Sequence, residues 1–132
     1  MSAVYDEHMS ERLDLGSIKT FQRKFAKARD WDQFHTPKNL SIALTVEAAE
    51  LMEHFQWLTA NEAKRIFLNP AKAKAISKEL ADILYYLVRL SDVLGVDLEK
   101  SFWLKMRENE AKYPVKLARG NAKKYTELKK AK

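Results

Sequence analysis

The chain has no cysteine. Disulfides, a thiolate nucleophile and Cys-ligated zinc are therefore excluded, and any metal must sit on carboxylates or on the three histidines. Glycine and proline number only three each, too few for the many tight turns of an all-β sandwich or barrel. No apolar run approaches the roughly 18 residues of a membrane span, and the N-terminus carries no signal-peptide core. These absences set the expectation of a helical, cytoplasmic protein. No G-x-S-x-G and no glycine-rich phosphate loop occurs, so a phosphate would have to be held by metal and side-chain cations. No Glu is followed three positions on by His, which sets aside a di-iron bundle centre.

What remains is an ordinary globular composition: 132 residues, 46% hydrophobic and 32% charged, enough for one domain. The net charge of +6 is unevenly spread. Residues 1–99 carry 13 Lys/Arg against 15 Asp/Glu, whereas residues 100–132 carry 11 against 3. A solvated tail, a counter-charge for an anionic ligand and a nucleic-acid contact all fit such an end.

Residues 1–14 read as a flexible lead-in. From Leu15 the spacing Leu15, Ile18, Phe21, Phe25, Ala28 predicts a helix to about Arg29. Residues 30–35 break that period and read as an aromatic-rich loop. Thr36-Pro37 supplies a cap and a first-turn proline for a second helix to about Trp57. Thr59-Ala-Asn-Glu62 is a capping-box pattern that opens a short helix to Phe67. Asn69-Pro70 starts a long helix that Gly95 stops after Leu94, and Asp97 caps a last helix ending before Pro114. The expected architecture is all-α, an antiparallel bundle of four main helices plus a short one, over residues 15–114, with an extended basic arm over 115–132. Phe102, Trp103 and Met106 on the last helix, with Tyr85 and Val88 on the long one, form apolar stripes broad enough to suggest oligomerisation through helix packing.

The acids carry the chemical signal. On the second helix Leu40, Leu44, Leu51 and Phe55 form the apolar stripe; Glu47 falls about 20° from Leu40 and Glu50 about 60° further round. On the long helix the stripe is Ile76, Leu80, Ile83, Leu87, Leu90 and Leu94. Glu79 lies within about 20° of Leu90 and Tyr86, with Asp82 one step along the same side. If the two faces meet, four carboxylates converge, and a hard divalent cation would relieve their repulsion and desolvation. Two solvated acid pairs on ordinary helices satisfy the same spacing. Lys105, Asn109 and Lys112, within about 60° of one another on the last helix, suit either a phosphate chain or a solvated basic face. Trp31, His35, Trp57 and Tyr86 are flat side chains that could stack on a base or fill a core.

Taken together, RDWDQFHTPKNL (29–40), VEAAELMEHFQW (46–57), ELADILYYLV (79–88), KMRENEAKYP (105–114) and LARGNAKKYTEL (117–128) resemble the MazG-like, all-α nucleoside triphosphate pyrophosphohydrolases, in particular their dCTP pyrophosphatase branch. The family signature E-x-x-E followed later by E-x-x-D is matched by Glu47/Glu50 and Glu79/Asp82. The resemblance implies a homodimeric or homotetrameric enzyme that hydrolyses a (d)NTP, dCTP or a modified dCTP, to the monophosphate and pyrophosphate. It implies Mg²⁺, with Mn²⁺ as a substitute, on Glu47, Glu50, Glu79 and Asp82, and Glu47 or Glu50 relieving the attacking water of its proton. Trp31, His35, Trp57 and Tyr86 would line the base and sugar pocket; Lys105, Asn109 and Lys112 would meet phosphate or ribose. Where relatives carry glycine before and between the first two glutamates, this chain has Val46 and Ala49, which bears on base selectivity. The alternatives are a hydrolase of broader or different nucleotide selectivity and, from another class, a helical nucleic-acid-binding module using the basic arm. The intact acids and the slightly acidic first three quarters of the chain weigh against the module.

Overall fold

The structure is a computed structural model that describes residues 12–128. Most of the expected lead-in, residues 1–11, and the last four residues of the arm lie outside the described residues. The elements are α1 (Leu15–Ala28), α2 (Pro37–Glu53), α3 (Ala60–Lys64), a 3₁₀ turn (Ile66–Leu68), α4 (Pro70–Leu94), α5 (Leu98–Lys112), α6 (Val115–Ala118) and α7 (Tyr125–Leu128). No strand occurs among the described residues, so the all-α expectation holds.

Local side chains start these helices. Asp14, Thr36, Thr59, Asn69 and Asp97 each accept a hydrogen bond from a first-turn backbone N–H, worth about 1 kcal/mol per cap. The capping box closes in both directions: Glu62 N–H donates to Thr59 Oγ1 at 3.2 Å, and Thr59 N–H donates to Glu62 Oε2 at 2.7 Å. Gly95 stops α4 with φ 68°, where a side chain would be strained. The end of α1 is built differently. Asp30 adopts φ 55°, while Asp30 N–H donates to Lys27 O at 3.1 Å and Trp31 N–H to Ala26 O at 3.0 Å. This is the Schellman arrangement with aspartate in place of glycine, and it turns Trp31 and His35 back along the helix pair.

Three elements depart from the sequence reading, one being the short helix expected to reach Phe67, which ends at Lys64 and gives way to the 3₁₀ turn. The second helix ends at Glu53, four residues short of Trp57. His54 and Phe55 N–H groups donate three residues back, to Leu51 and Met52 carbonyls, so the last turn tightens and then leaves the helix. The arm expected to be extended contains two helical turns, α6 and α7. Asn121 Nδ2 donates to the Leu117 carbonyl at 3.0 Å, Glu127 Oε2 accepts from Lys124 N–H at 3.1 Å, and the Tyr113 and Tyr125 rings meet edge to face at 6.2 Å.

The chain divides into two compact units, one ending at Gly95 and the other starting at Val96. In the first, α2 and α4 pack along their length and α1 packs on α4. The α2–α4 pair is antiparallel: His35, just before α2, touches Arg89, whereas His54, just after it, reaches Glu79. Leu40, Ile76, Val88 and Ala26 are fully or nearly fully buried. Each of the three larger ones contributes about 1.5–3 kcal/mol of apolar burial. Val88, read from the sequence as facing a second chain, is fully buried within this one. Ile76, read as core, is buried, whereas Leu80, Leu87 and Leu94 of the same stripe are 50%, 37% and 54% exposed, because α4 turns Val88, Arg89 and Ser91 inward instead. The second unit holds α5, α6 and α7.

Candidate functional site

The α2–α4 pairing brings the acids together. One carboxylate oxygen from each of Glu47, Glu50 and Glu79 lies within 4.8 Å of the other two. Asp82, one turn further along α4 and exposed, stands outside that triangle, although its charge reaches Glu47. Burial, then the charge of Glu50, push the Glu47 carboxyl up to about 7; Asp82, a hydrogen bond with Glu50, and Glu79 add to the rise. Oε2 of Glu47 is buried with no hydrogen-bond partner among the described residues. Three clustered carboxylates, one of them raised and with an orphaned buried oxygen, form an all-oxygen donor set with uncompensated negative charge. That set fits a hard divalent cation.

The aromatic candidates divide. Tyr86 stands over the acids: burial raises its hydroxyl pKa, and Glu47, Asp82 and Glu50 raise it further. Its ring meets Tyr85 edge to face at 5.1 Å, and Tyr85 in turn meets Phe25, which meets Trp31. Trp31 and His35 lie 6.1 Å apart, ring to ring. Trp31, His35 and Tyr86 thus share one connected aromatic wall with Phe25 and Tyr85. Trp57 joins no ring or polar contact of that wall and is 87% exposed. Lys105, Asn109 and Lys112 lie on α5, in the other unit. Lys105 Nζ pairs with Glu108 at 3.2 Å, and Lys112 Nζ lies 5.1 Å from the centre of the Tyr125 ring.

Several residues of the site carry no motif. His54 Nε2 is 3.5 Å from Glu79 Oε1. His54 lies four residues after Glu50 and seven after Glu47, on the same helical face, so its spacing was a usable signal. Arg89 projects from α4 with its side chain 7% exposed, donating from Nε to His35 Nδ1 at 3.0 Å and from Nη2 to Asp32 at 2.8 Å. Gln22 Nε2 donates to the Tyr85 carbonyl at 3.0 Å.

A helical frame with a carboxylate triangle between antiparallel helices defines the class, and residues 42–128 match the MazG-like family. The chain belongs to that family. It is similar to dCTP pyrophosphatase 1 of Bos taurus, 45% identical over 119 residues that cover 90% of this chain and 70% of that protein. It is likewise similar to dCTP pyrophosphatase 1 of Homo sapiens, 44% identical over 114 residues, 86% of this chain and 67% of that protein. A crystal structure of a pyrophosphatase from Archaeoglobus fulgidus shares the fold with a TM-score of 0.71 at 33% identity, over 80% of this chain and 96% of that one.

Proposed function

We propose that this protein is a divalent-cation-dependent nucleoside triphosphate pyrophosphohydrolase that converts dCTP or a modified dCTP to the monophosphate and pyrophosphate. The observation that carries this reading is the Glu47/Glu50/Glu79 triangle with its orphaned Glu47 Oε2, in a chain similar to dCTP pyrophosphatases over most of its length. The cation is Mg²⁺, with Mn²⁺ as a substitute, held by Glu47, Glu50, Glu79 and Asp82. When bound it supplies positive charge to the triphosphate and lowers the pKa of a coordinated water.

The protein's own groups do the rest. A water attacks the α-phosphorus in line, the bond to the bridging oxygen breaks, and pyrophosphate departs. A carboxylate oxygen of Glu47 or Glu50 takes the proton that the water loses and passes it to solvent. Trp31, His35 and Tyr86, which share the aromatic wall, hold the base and sugar, and Trp57 is assigned to the same pocket by the family resemblance alone. Lys105, Asn109 and Lys112 are assigned to phosphate or ribose by the family resemblance, and the lysines offset the charge of the leaving group. The reaction would act on the cytoplasmic nucleotide pool.

A homodimer or homotetramer belongs to the same proposal. Leu80, Leu87 and Leu94 recur every seven residues on α4 and are 50%, 37% and 54% exposed, a stripe that a second copy would cover. Among the described residues no helix is long and apolar enough to cross a membrane.

The test is pyrophosphate release from each of the four dNTPs with and without Mg²⁺. Release that needs Mg²⁺ and is fastest with dCTP supports the proposal. Even rates across the panel favour the broad hydrolase. No release from any nucleotide overturns both enzyme readings, and salt-sensitive DNA binding would then favour the module.

A further inference from the structure

We propose that Arg89 is a positioning residue that holds His35 as a neutral imidazole with its proton on Nε2, so that His35 donates one hydrogen bond to an uncharged acceptor on the nucleoside part of the substrate. This rests on the proposed function for the identity of the ligand, but the state of the imidazole does not.

The chemistry follows from one contact. Arg89 Nε donates to His35 Nδ1 at 3.0 Å. A guanidinium has five N–H donors and no acceptor, so the ring nitrogen facing it must carry a lone pair. The remaining proton is then on Nε2. A second proton on Nδ1 would face the guanidinium and break the contact, so the ring stays neutral. Burial, then the Arg89 charge, lower the His35 pKa, against an opposing pull from Asp32.

Arg89 is itself held. Its side chain is 7% exposed, Nη2 donates to Asp32 Oδ1 at 2.8 Å, and Nη1 lies 3.8 Å from Asp92 Oδ2. Asp32 and His35 belong to the segment that the Asp30 turn folds back, so Arg89 clamps both ends of one turn of that loop onto α4. His35 Nε2 has no partner among the described residues, and the ring adjoins Trp31, which is 40% exposed. A flat base against Trp31 would bring a carbonyl to Nε2–H. A neutral donor suits a carbonyl better than a phosphate, which cationic donors bind more strongly.

The test combines ¹⁵N–¹H spectroscopy of the His35 ring with kinetics. In the wild-type protein at pH 7.5–8 the ring should show protonated Nε2 and unprotonated Nδ1. Arg89→Met should mix the tautomers, raise the imidazole pKa, and raise KM for dCTP about five-fold, the loss of one neutral hydrogen bond, with kcat nearly unchanged. His35→Phe should weaken dCMP and dCTP by the same factor, and His35→Gln, whose amide N–H reaches the Nε2 position, should restore both. A wild-type ring protonated on Nδ1, an Arg89→Met protein with unchanged tautomer and KM, or a His35→Phe loss confined to dCTP would each overturn the inference. A wild-type protein with the expected tautomer but no turnover of any dNTP would instead contradict the proposed function.

Discussion

Arg23 on α1 grips Asp92 on α4 through two hydrogen bonds, Nε to Oδ2 at 2.7 Å and Nη2 to Oδ1 at 2.5 Å. This bidentate pair ties the first helix to the long one that carries Glu79, Asp82 and Arg89. The hydrogen bond from Arg23 holds the Asp92 carboxyl below the usual carboxylate value, and the charges of Arg23, Lys19 and Arg89 lower it further.

Asp92→Asn should therefore destabilise the fold at pH 7. Because Arg23 is largely exposed, solvent screens the pair and the loss is expected to be small. A depressed folded pKa stabilises above the unfolded value, near 4, and that contribution disappears as pH falls through the folded one. Urea denaturation should show a constant gap between wild type and variant from pH 7 to 5 that narrows below pH 4. A gap that stays constant below pH 4 would place the stabilisation elsewhere.

Glu47 has the opposite sign. Its folded pKa is raised to about 7 from 4.5, so between these values the native state binds more protons than the unfolded one. Without metal, stability should fall as pH rises from 4.5 to 7, and Glu47→Gln should flatten that fall. Mg²⁺ must displace the proton, so it should raise the melting temperature more at pH 8 than at pH 5.5. Thermal scans with and without Mg²⁺ measure this; equal shifts at both values would contradict the assignment.

The exposed heptad on α4 makes a separate claim. Leu87→Arg should lower the mass of the particle measured by light scattering while the helical circular dichroism persists. An unchanged mass would remove this stripe from the interface.

Much of this was legible in the sequence because it is local. Thr36-Pro37, Thr59 with Glu62, Asn69-Pro70 and Asp97 announce helix starts within four residues of themselves, and the two acid pairs follow from helical periodicity; the Asp14 cap falls inside the expected lead-in. The end of α2 at Glu53 was not legible. Neither glycine nor proline marks it, and it is set where the backbone bonds shorten near His54. Nor was the inward turn of α4: Leu80 and Leu87 fit the apolar period better than Val88, Arg89 and Ser91, but packing against α1 and the loop after it selects the latter face. No motif or spacing in the sequence singles out Arg89. Its partners His35 and Asp32 lie 54 and 57 positions away, and only the folded chain shows that they meet.

The most direct test follows Mn²⁺ binding by electron paramagnetic resonance, and pyrophosphate release from dCTP, on the same samples of wild type and Glu79→Gln. Wild type should bind the ion and turn over, whereas the variant should lose at least about a hundredfold in turnover and bind the ion far more weakly, with its helical content intact. A Glu79→Gln protein that binds Mn²⁺ and cleaves dCTP as wild type does would contradict the claim that the α2–α4 carboxylates hold the catalytic ion.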